Sequence, residues 1–206
     1  ALGLWAGDAS IIDSNAAYNS GDPFPVYWLA DDNTIVINGA DGDDSLTPFA
    51  RAELALLLTQ ALDDQLFQAI EQIDQAPNPQ AYQGAVAIAS GHSIWVRNEY
   101  IADLSDPETT RYENAYQERV DSFVEETSNV PVSYLALRSA GQQLGTTFVE
   151  ALVEADASLV VEAFTSKRPT ALDQISLPFT KYQRLDPTEP IEPPAPPRGA
   201  EQLYTG

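Results

Sequence analysis

The stretch Thr47–Phe67, TPFARAELALLLTQALDDQLF, constrains the fold more than any other part of the chain. Thr47 followed by Pro48 is the pattern of an N-cap with proline at the first helical position, and no breaker interrupts Glu53 to Ile70. Leu54, Leu58, Ala61, Leu62, Leu66, Ala69 and Ile70 recur at three- and four-residue spacing, and Leu56 and Leu57 fill the gaps. A helix apolar on nearly every side is expected to lie at the centre of a domain, buried.

The same string resembles the zinc helix HELTHALQDQHF of a family of gluzincin-like zinc metallopeptidases found in exported bacterial and archaeal proteins. Thr59, Ala61, Leu62, Asp64, Gln65 and Phe67 match it. The resemblance places Leu56 at the first histidine ligand, Leu57 at the general-base glutamate and Gln60 at the second histidine. In such a motif two histidines four residues apart hold one zinc ion, and the glutamate takes a proton from the bound water. Leucine has no lone pair, and the amide oxygen of Gln60 is a poor ligand for zinc. The resemblance thus implies a scaffold without its metal site and without a cofactor.

Further blocks follow in the order the family would have them. Ala1–Asp8, ALGLWAGD, resembles the segment that precedes the zinc helix, and Ser10–Ala17 is expected to form a helical turn. Phe24–Ala30 and Thr34–Asn38 are β-branched and aromatic, and the intervening Asp31-Asp32-Asn33 predicts a hairpin. Tyr27, Asp31, Thr34, Ile35 and Val36 fit a YDPDTxTIYV-like string of the family. Tyr82–Leu104 predicts a second helix with Val86, Ile88, Ala89, Ile94 and Trp95 inside, after a Pro77 and Pro79 loop over Asp74–Gln80. There an ALVEGDA-type segment would supply a third ligand, a glutamate, and the resemblance puts Ser90 at it and His92 at the following aspartate. LGTTFVEALVEADASLVVEAF resembles the C-terminal core, and Arg168–Pro178 resembles the closing motif PTSTEQILHP through Pro169, Thr170, Gln174, Ile175 and Pro178, with Leu177 in place of histidine.

Gly39–Leu46 comes close to one glycine- and aspartate-rich calcium repeat, in which Asp41, Asp43 and Asp44 would be the ligands. Such repeats coordinate calcium by stacking turn on turn, so a single copy reads better as a solvated turn. His92 is the sole histidine of the chain. It is expected to be a hydrogen-bonded structural residue, with a base or residual ligand as the rival reading. No nucleophile-elbow pattern G-x-S-x-G is present. Asp106–Glu126 predicts a polar helix with Tyr112, Ala115, Tyr116, Val120, Phe123 and Val124 on one face, and Tyr134–Ala155 another helix after Pro131. Glu150, Glu154 and Asp156 cluster, as expected by chance in a chain with 31 acidic residues.

The 206 residues suffice to bury roughly 70% of the unfolded surface. Ten Lys and Arg stand against 31 Asp and Glu, a net charge of −21. A surface this acidic repels phosphate backbones and anionic lipid, and favours cation-rich surroundings or a basic partner. Disulfides and thiolate metal sites are excluded, because there is no cysteine. No apolar run reaches the ~18 residues of a membrane span. The start at Ala1 without methionine is that of a processed product or a piece of a longer precursor.

The expected architecture is α+β and predominantly helical: a zincin-like domain over residues 1–185 with a small β-hairpin before a long buried helix. Residues 186–206 are expected to form a proline-rich acidic tail, in which Pro187, Pro190 and Pro193 recur every third residue and favour an extended polyproline II tether that could lie on a partner. The expected function is a catalytically inactive, extracytoplasmic binding or scaffold subunit whose partner is another protein, such as a membrane-associated or cell-surface complex, reached through an anchoring segment outside this chain. The alternatives are an active hydrolase with an atypical site around His92, and a purely structural subunit of a larger assembly.

Overall fold

A computed structural model of the chain describes Ser14 and residues 26–29, 32–37 and 46–184. Apart from Ser14, which is helical and buried, the expectations for Ala1–Asp8, Ser10–Ala17, the Asp41–Asp44 loop and the proline-rich tail lie outside the described residues. Strands β1 (Val26–Leu29) and β2 (Thr34–Ile37) pair antiparallel, with Trp28 opposite Ile35. Asn33 takes a positive φ of 46° in the turn between them. Among the described residues seven helices follow: α1 (Pro48–Phe67), α2 (Ala69–Asp74), α3 (Pro79–Ala102), α4 (Asp106–Glu126), α5 (Val132–Ala155), α6 (Ser158–Phe164) and α7 (Leu172–Ser176). A π-helical turn, Pro178–Tyr182, ends the described body. The described residues are predominantly helical with one small antiparallel sheet.

The helix starts follow from local chemistry. The Thr47 hydroxyl accepts from the Ala50 N–H, and the Asn78 side chain accepts from Gln80 and Ala81, each with proline in the first turn. At the head of α4 the Glu108 carboxylate accepts from both the N–H and the hydroxyl of Ser105. Helix α1 stops at Phe67 because Gln68 turns left-handed, φ 56°, ψ 46°. The Asp64 carboxylate then accepts from the Ile70 N–H and starts α2. The expected continuous run from Glu53 to Ile70 is therefore two helices.

The core is not centred on α1. It lies where α3 and α5 cross and α6, α7 and the π turn close over them, with Ile88, Phe148, Val149, Leu152, Phe164, Ile175 and Tyr182 almost fully buried. Small residues make that crossing possible. A Cβ on Gly145 would overlap the Ala87 carbonyl, and one on Gly91 would overlap the Gly145 carbonyl. Gly84 likewise lies against the Pro169 carbonyl, which brings the 168–178 segment onto α3. There the Gln174 side chain accepts from the Thr170 N–H at 2.7 Å, while Leu177 stays about half exposed.

The expectation of a fully buried α1 is corrected. Its covered arc carries Ala50, Ala52, Glu53, Thr59, Ala61 and Asp63. Leu58, Leu62 and Leu66, one turn apart, are more than half exposed. Helix α1 packs on α3 largely through small and polar side chains, and Leu58, Leu62 and Leu66 are left on the outer arc.

A cleft and a polar ladder between helices α1 and α3

Helices α1 and α3 run antiparallel, joined by four polar rungs. Arg51 Nε donates to the Tyr100 hydroxyl at 2.9 Å, Arg97 Nη1 to Glu53 at 3.3 Å and Gln60 Nε2 to the Ser93 hydroxyl at 3.4 Å. His92 Nδ1 and Asp63 Oδ2 are 2.8 Å apart. Arg51 also reaches α4, where its second amino group donates to Glu108. Between the rungs a cleft of about 310 Å³ opens, lined among others by Leu56, Leu57, Gln60, Ser90 and Ser93, with Gln142 of α5 at its side. The four positions that the family resemblance singles out, 56, 57, 60 and 90, thus meet at one cleft. They were separated by up to 34 positions in the chain, and the α1–α3 packing brings them together.

The groups at this cleft suit hydrogen bonding and apolar contact. Gln60, Ser90, Ser93 and Gln142 offer amides and hydroxyls, and Leu56 and Leu57 an apolar floor. Among the described residues no group of three or more histidine, cysteine, aspartate or glutamate side chains is disposed around a common point for a metal ion.

Two carboxylates at the ends of the ladder are buried. Burial pushes the Glu53 carboxyl above its ordinary value, against the opposing pull of Arg97. Asp63, 2% exposed, is likewise pushed up by burial, and its hydrogen bond to His92 opposes the shift. His92 is packed between Trp95, stacked at 6.3 Å, and Phe164, edge-on at 5.8 Å. Among the described residues its one hydrogen bond is to Asp63, so it is hydrogen-bonded, and it sits beside the cleft rather than in its lining.

The Glu53–Arg97 pair was not anticipated from the sequence, and it places a buried ion pair where the cleft meets a second recess. Glu53 and Arg97 come together across the facing sides of α1 and α3, 44 positions apart in the chain. Glu150, Glu154 and Asp156 are exposed. Asp156 does local work, accepting from the Ser158 N–H at 2.8 Å ahead of α6, and that bond holds its carboxyl below the ordinary value.

No described helix is long and apolar enough to cross a membrane. Compared with known proteins, the chain matches no family model, no curated protein and no solved structure.

Proposed function

We propose that this chain is a non-catalytic binding module on a zincin-like helical scaffold, an extracytoplasmic subunit whose α1–α3 cleft takes a short segment of a partner protein without cutting it. The observation that carries the reading is the convergence of Leu56, Leu57, Gln60 and Ser90 on one open cleft. These are the positions where the resembled family would hold its metal and base, and here they offer leucine side chains, an amide and a hydroxyl. A peptide backbone presents N–H and C=O groups that Gln60, Ser90, Ser93 and Gln142 can pair, while leucines at 56 and 57 cover an apolar side chain. Neither leucine can move a proton or polarise a carbonyl, so a bound peptide would meet recognition chemistry and no hydrolytic chemistry.

The test is incubation of the full chain, dialysed with zinc, with a randomised peptide pool, followed by mass spectrometry of the retained and free fractions. Retention of intact peptides, lost on Leu57→Arg, is the expected result. Cleavage that survives purification and disappears in Leu57→Arg would replace the binding reading with an enzyme. A second reading is favoured by one observation, the Asp63–His92 pair: a buried carboxylate on Nδ1 is how an imidazole is oriented as a general base. That reading requires turnover that His92→Ala abolishes, and equal turnover by His92→Ala would eliminate it.

A further inference from the structure

We propose that the pocket where α2, α3 and the 168–170 segment meet binds a small zwitterion, a free α-amino acid, with its carboxylate on Arg168 and its ammonium on Glu71. The pocket has a volume of about 320 Å³ and shares no lining residue with the α1–α3 cleft, so the proposal stands apart from the peptide-binding reading. Arg168 and Glu71 both line it, and they do not pair with each other. The Arg168 Nε donates to the Phe164 carbonyl at 3.1 Å, and no carboxylate among the described residues meets the guanidinium. The Glu71 carboxylate accepts from the Gln75 amide at 2.7 Å, and no cation among the described residues meets it. One positive and one negative group thus line a single small pocket without neutralising each other, and the lining carries no other charge.

The distance between these two groups is fixed by contacts that need no ligand. The Gln72 amide donates to the carbonyls of Phe67 and of Phe164, the latter at 3.1 Å, which ties α2 to the end of α6 just ahead of Arg168. Gly84 lets the Pro169 carbonyl lie directly on α3. A second observation points to the same place. Gln68 lines the pocket in a left-handed conformation, φ 56°, ψ 46°, which glycine would adopt without strain. Its side chain does not cap α2, nor does it hydrogen-bond elsewhere among the described residues. Strain of this kind gathers at binding sites, and an amide the fold does not use is free to pair with either end of a zwitterion. Ala85, Ile88 and Pro169 supply the apolar wall for the ligand's side chain. The volume lies at the low end of ligand sites, which run from ~300 to ~1,000 Å³, and suits a molecule of amino-acid size.

The overall field gives the test its sign. A protein of −21 ranks a cationic amino-acid amide first, the zwitterion second and the anionic N-acetyl amino acid last. The proposed site puts the zwitterion above both. The full chain is dialysed to equilibrium against a pool of the free α-amino acids with glucose, each at ~1 mM, and both compartments are read by mass spectrometry. At least one amino acid should be concentrated on the protein side and glucose should not. The amide and N-acetyl forms of that amino acid, each lacking one charge, should be retained about tenfold less or weaker still, the size expected of a charge-assisted hydrogen bond. Glu71→Gln and Arg168→Gln should each reduce retention by a similar factor. Gln68→Gly removes the amide and relieves the backbone, so retention should fall severalfold with a urea midpoint at or above that of the parent, which a merely structural role would not give. Retention of no amino acid, retention of glucose in its place, an amide held as well as the zwitterion, or unchanged retention in any of the three folded variants overturns the proposal and leaves the cleft reading untouched.

Discussion

Gly145→Ala separates two opposite forecasts. Judged by helix propensity alone, alanine in the interior of α5 should stabilise the protein by roughly 0.8–1 kcal/mol. The structure reverses the sign, because the new Cβ would overlap the backbone carbonyl of Ala87 on α3. Backbone cannot rotate out of the way as a side chain can, so the two helices must move apart. The residues that would lose contact are the core itself, with Phe148, Val149 and Leu152 one to two turns on along α5 and fully buried. Overpacking of this kind costs typically 1–3 kcal/mol and more where the obstacle is rigid, so a net loss of about 2 kcal/mol remains after the propensity gain. With a urea slope of about 2 kcal/mol per molar, the midpoint should fall by roughly 1 M, and Tm by roughly 4–8 °C. Urea titrations followed by far-UV circular dichroism, in constant molar salt, measure it. Gly91→Ala should repeat the loss from the other side, since its Cβ would meet the Gly145 carbonyl, while Gln143→Ala on the exposed side of α5 should stay within about 0.5 kcal/mol. A midpoint for Gly145→Ala that is unchanged or higher would refute the close crossing of α3 and α5.

Other outcomes follow from the same geometry. Glu108, held at a pKa of about 2 against an ordinary 4.5 by its hydrogen bonds from Ser105 and Arg51, contributes stability that is complete above pH 4.5 and is lost as pH falls toward 2; Glu108→Gln should flatten that part of the acid-unfolding curve, and an identical curve would count against the capping network. Asp63 behaves oppositely: its raised carboxyl takes up a proton more readily in the folded state, so its ionised form is a cost above that range, and Asp63→Asn should lower the stability gained on acidification. If positions 56, 60 and 90 share a metal-site geometry, the triple variant Leu56→His, Gln60→His, Ser90→Glu should retain about one zinc per chain by elemental analysis after dialysis, and a folded variant without zinc would contradict the zincin-like reading. With a net charge of −21, Tm should rise steadily from ~0.01 M to ~1 M KCl as the screening length shrinks from about 30 to 3 Å, whereas a flat profile would mean the charges are spaced too widely to matter.

The local elements were legible in the sequence because their signals are local. Thr47-Pro48 and Ser105-Asp106-Pro107-Glu108 announce helix starts by chemistry completed within four residues, and the stretch Asp31-Asp32-Asn33 announces a hairpin in the same way; the expected loop over Asp74–Gln80 is corrected, because Asn78 caps a helix that already begins at Pro79 rather than at Tyr82. The packing of α1 was not legible. Its leucines at 54, 58, 62 and 66 form the stripe that periodicity assigns to a core, yet Leu58, Leu62 and Leu66 are exposed while Ala52, Thr59 and Asp63 are covered. Periodicity finds the apolar arc of a helix; it does not find which arc a neighbour can approach closely. The α3–α5 crossing did have a sequence signal, Ala87 and Gly91 on one helix and Gly141 and Gly145 on the other, small residues at four-residue spacing. Gln68 had none, since glutamine seldom adopts a left-handed conformation and nothing nearby demands it.

The same packing explains why the cleft can be open and polar without destabilising the interface that forms it. A cleft between two helices removes contacts from their shared face, so the rest of that face must hold them in register. Here the rungs do so on both sides: Arg51–Tyr100 and Glu53–Arg97 toward one end, Asp63–His92 toward the other. Each buried carboxylate in the ladder has its partner on the opposite helix, and breaking such a pair by removing one partner leaves a charge that burial penalises by several kcal/mol. The pairs therefore specify the antiparallel register of α1 against α3 more than they add to stability, and that register is what sets Leu56, Leu57 and Gln60 opposite Ser90 and Ser93. Replacing Asp63 and His92 together by a well-packed apolar pair should consequently change stability little while loosening the cleft, a distinction that peptide retention can read and a melting curve cannot.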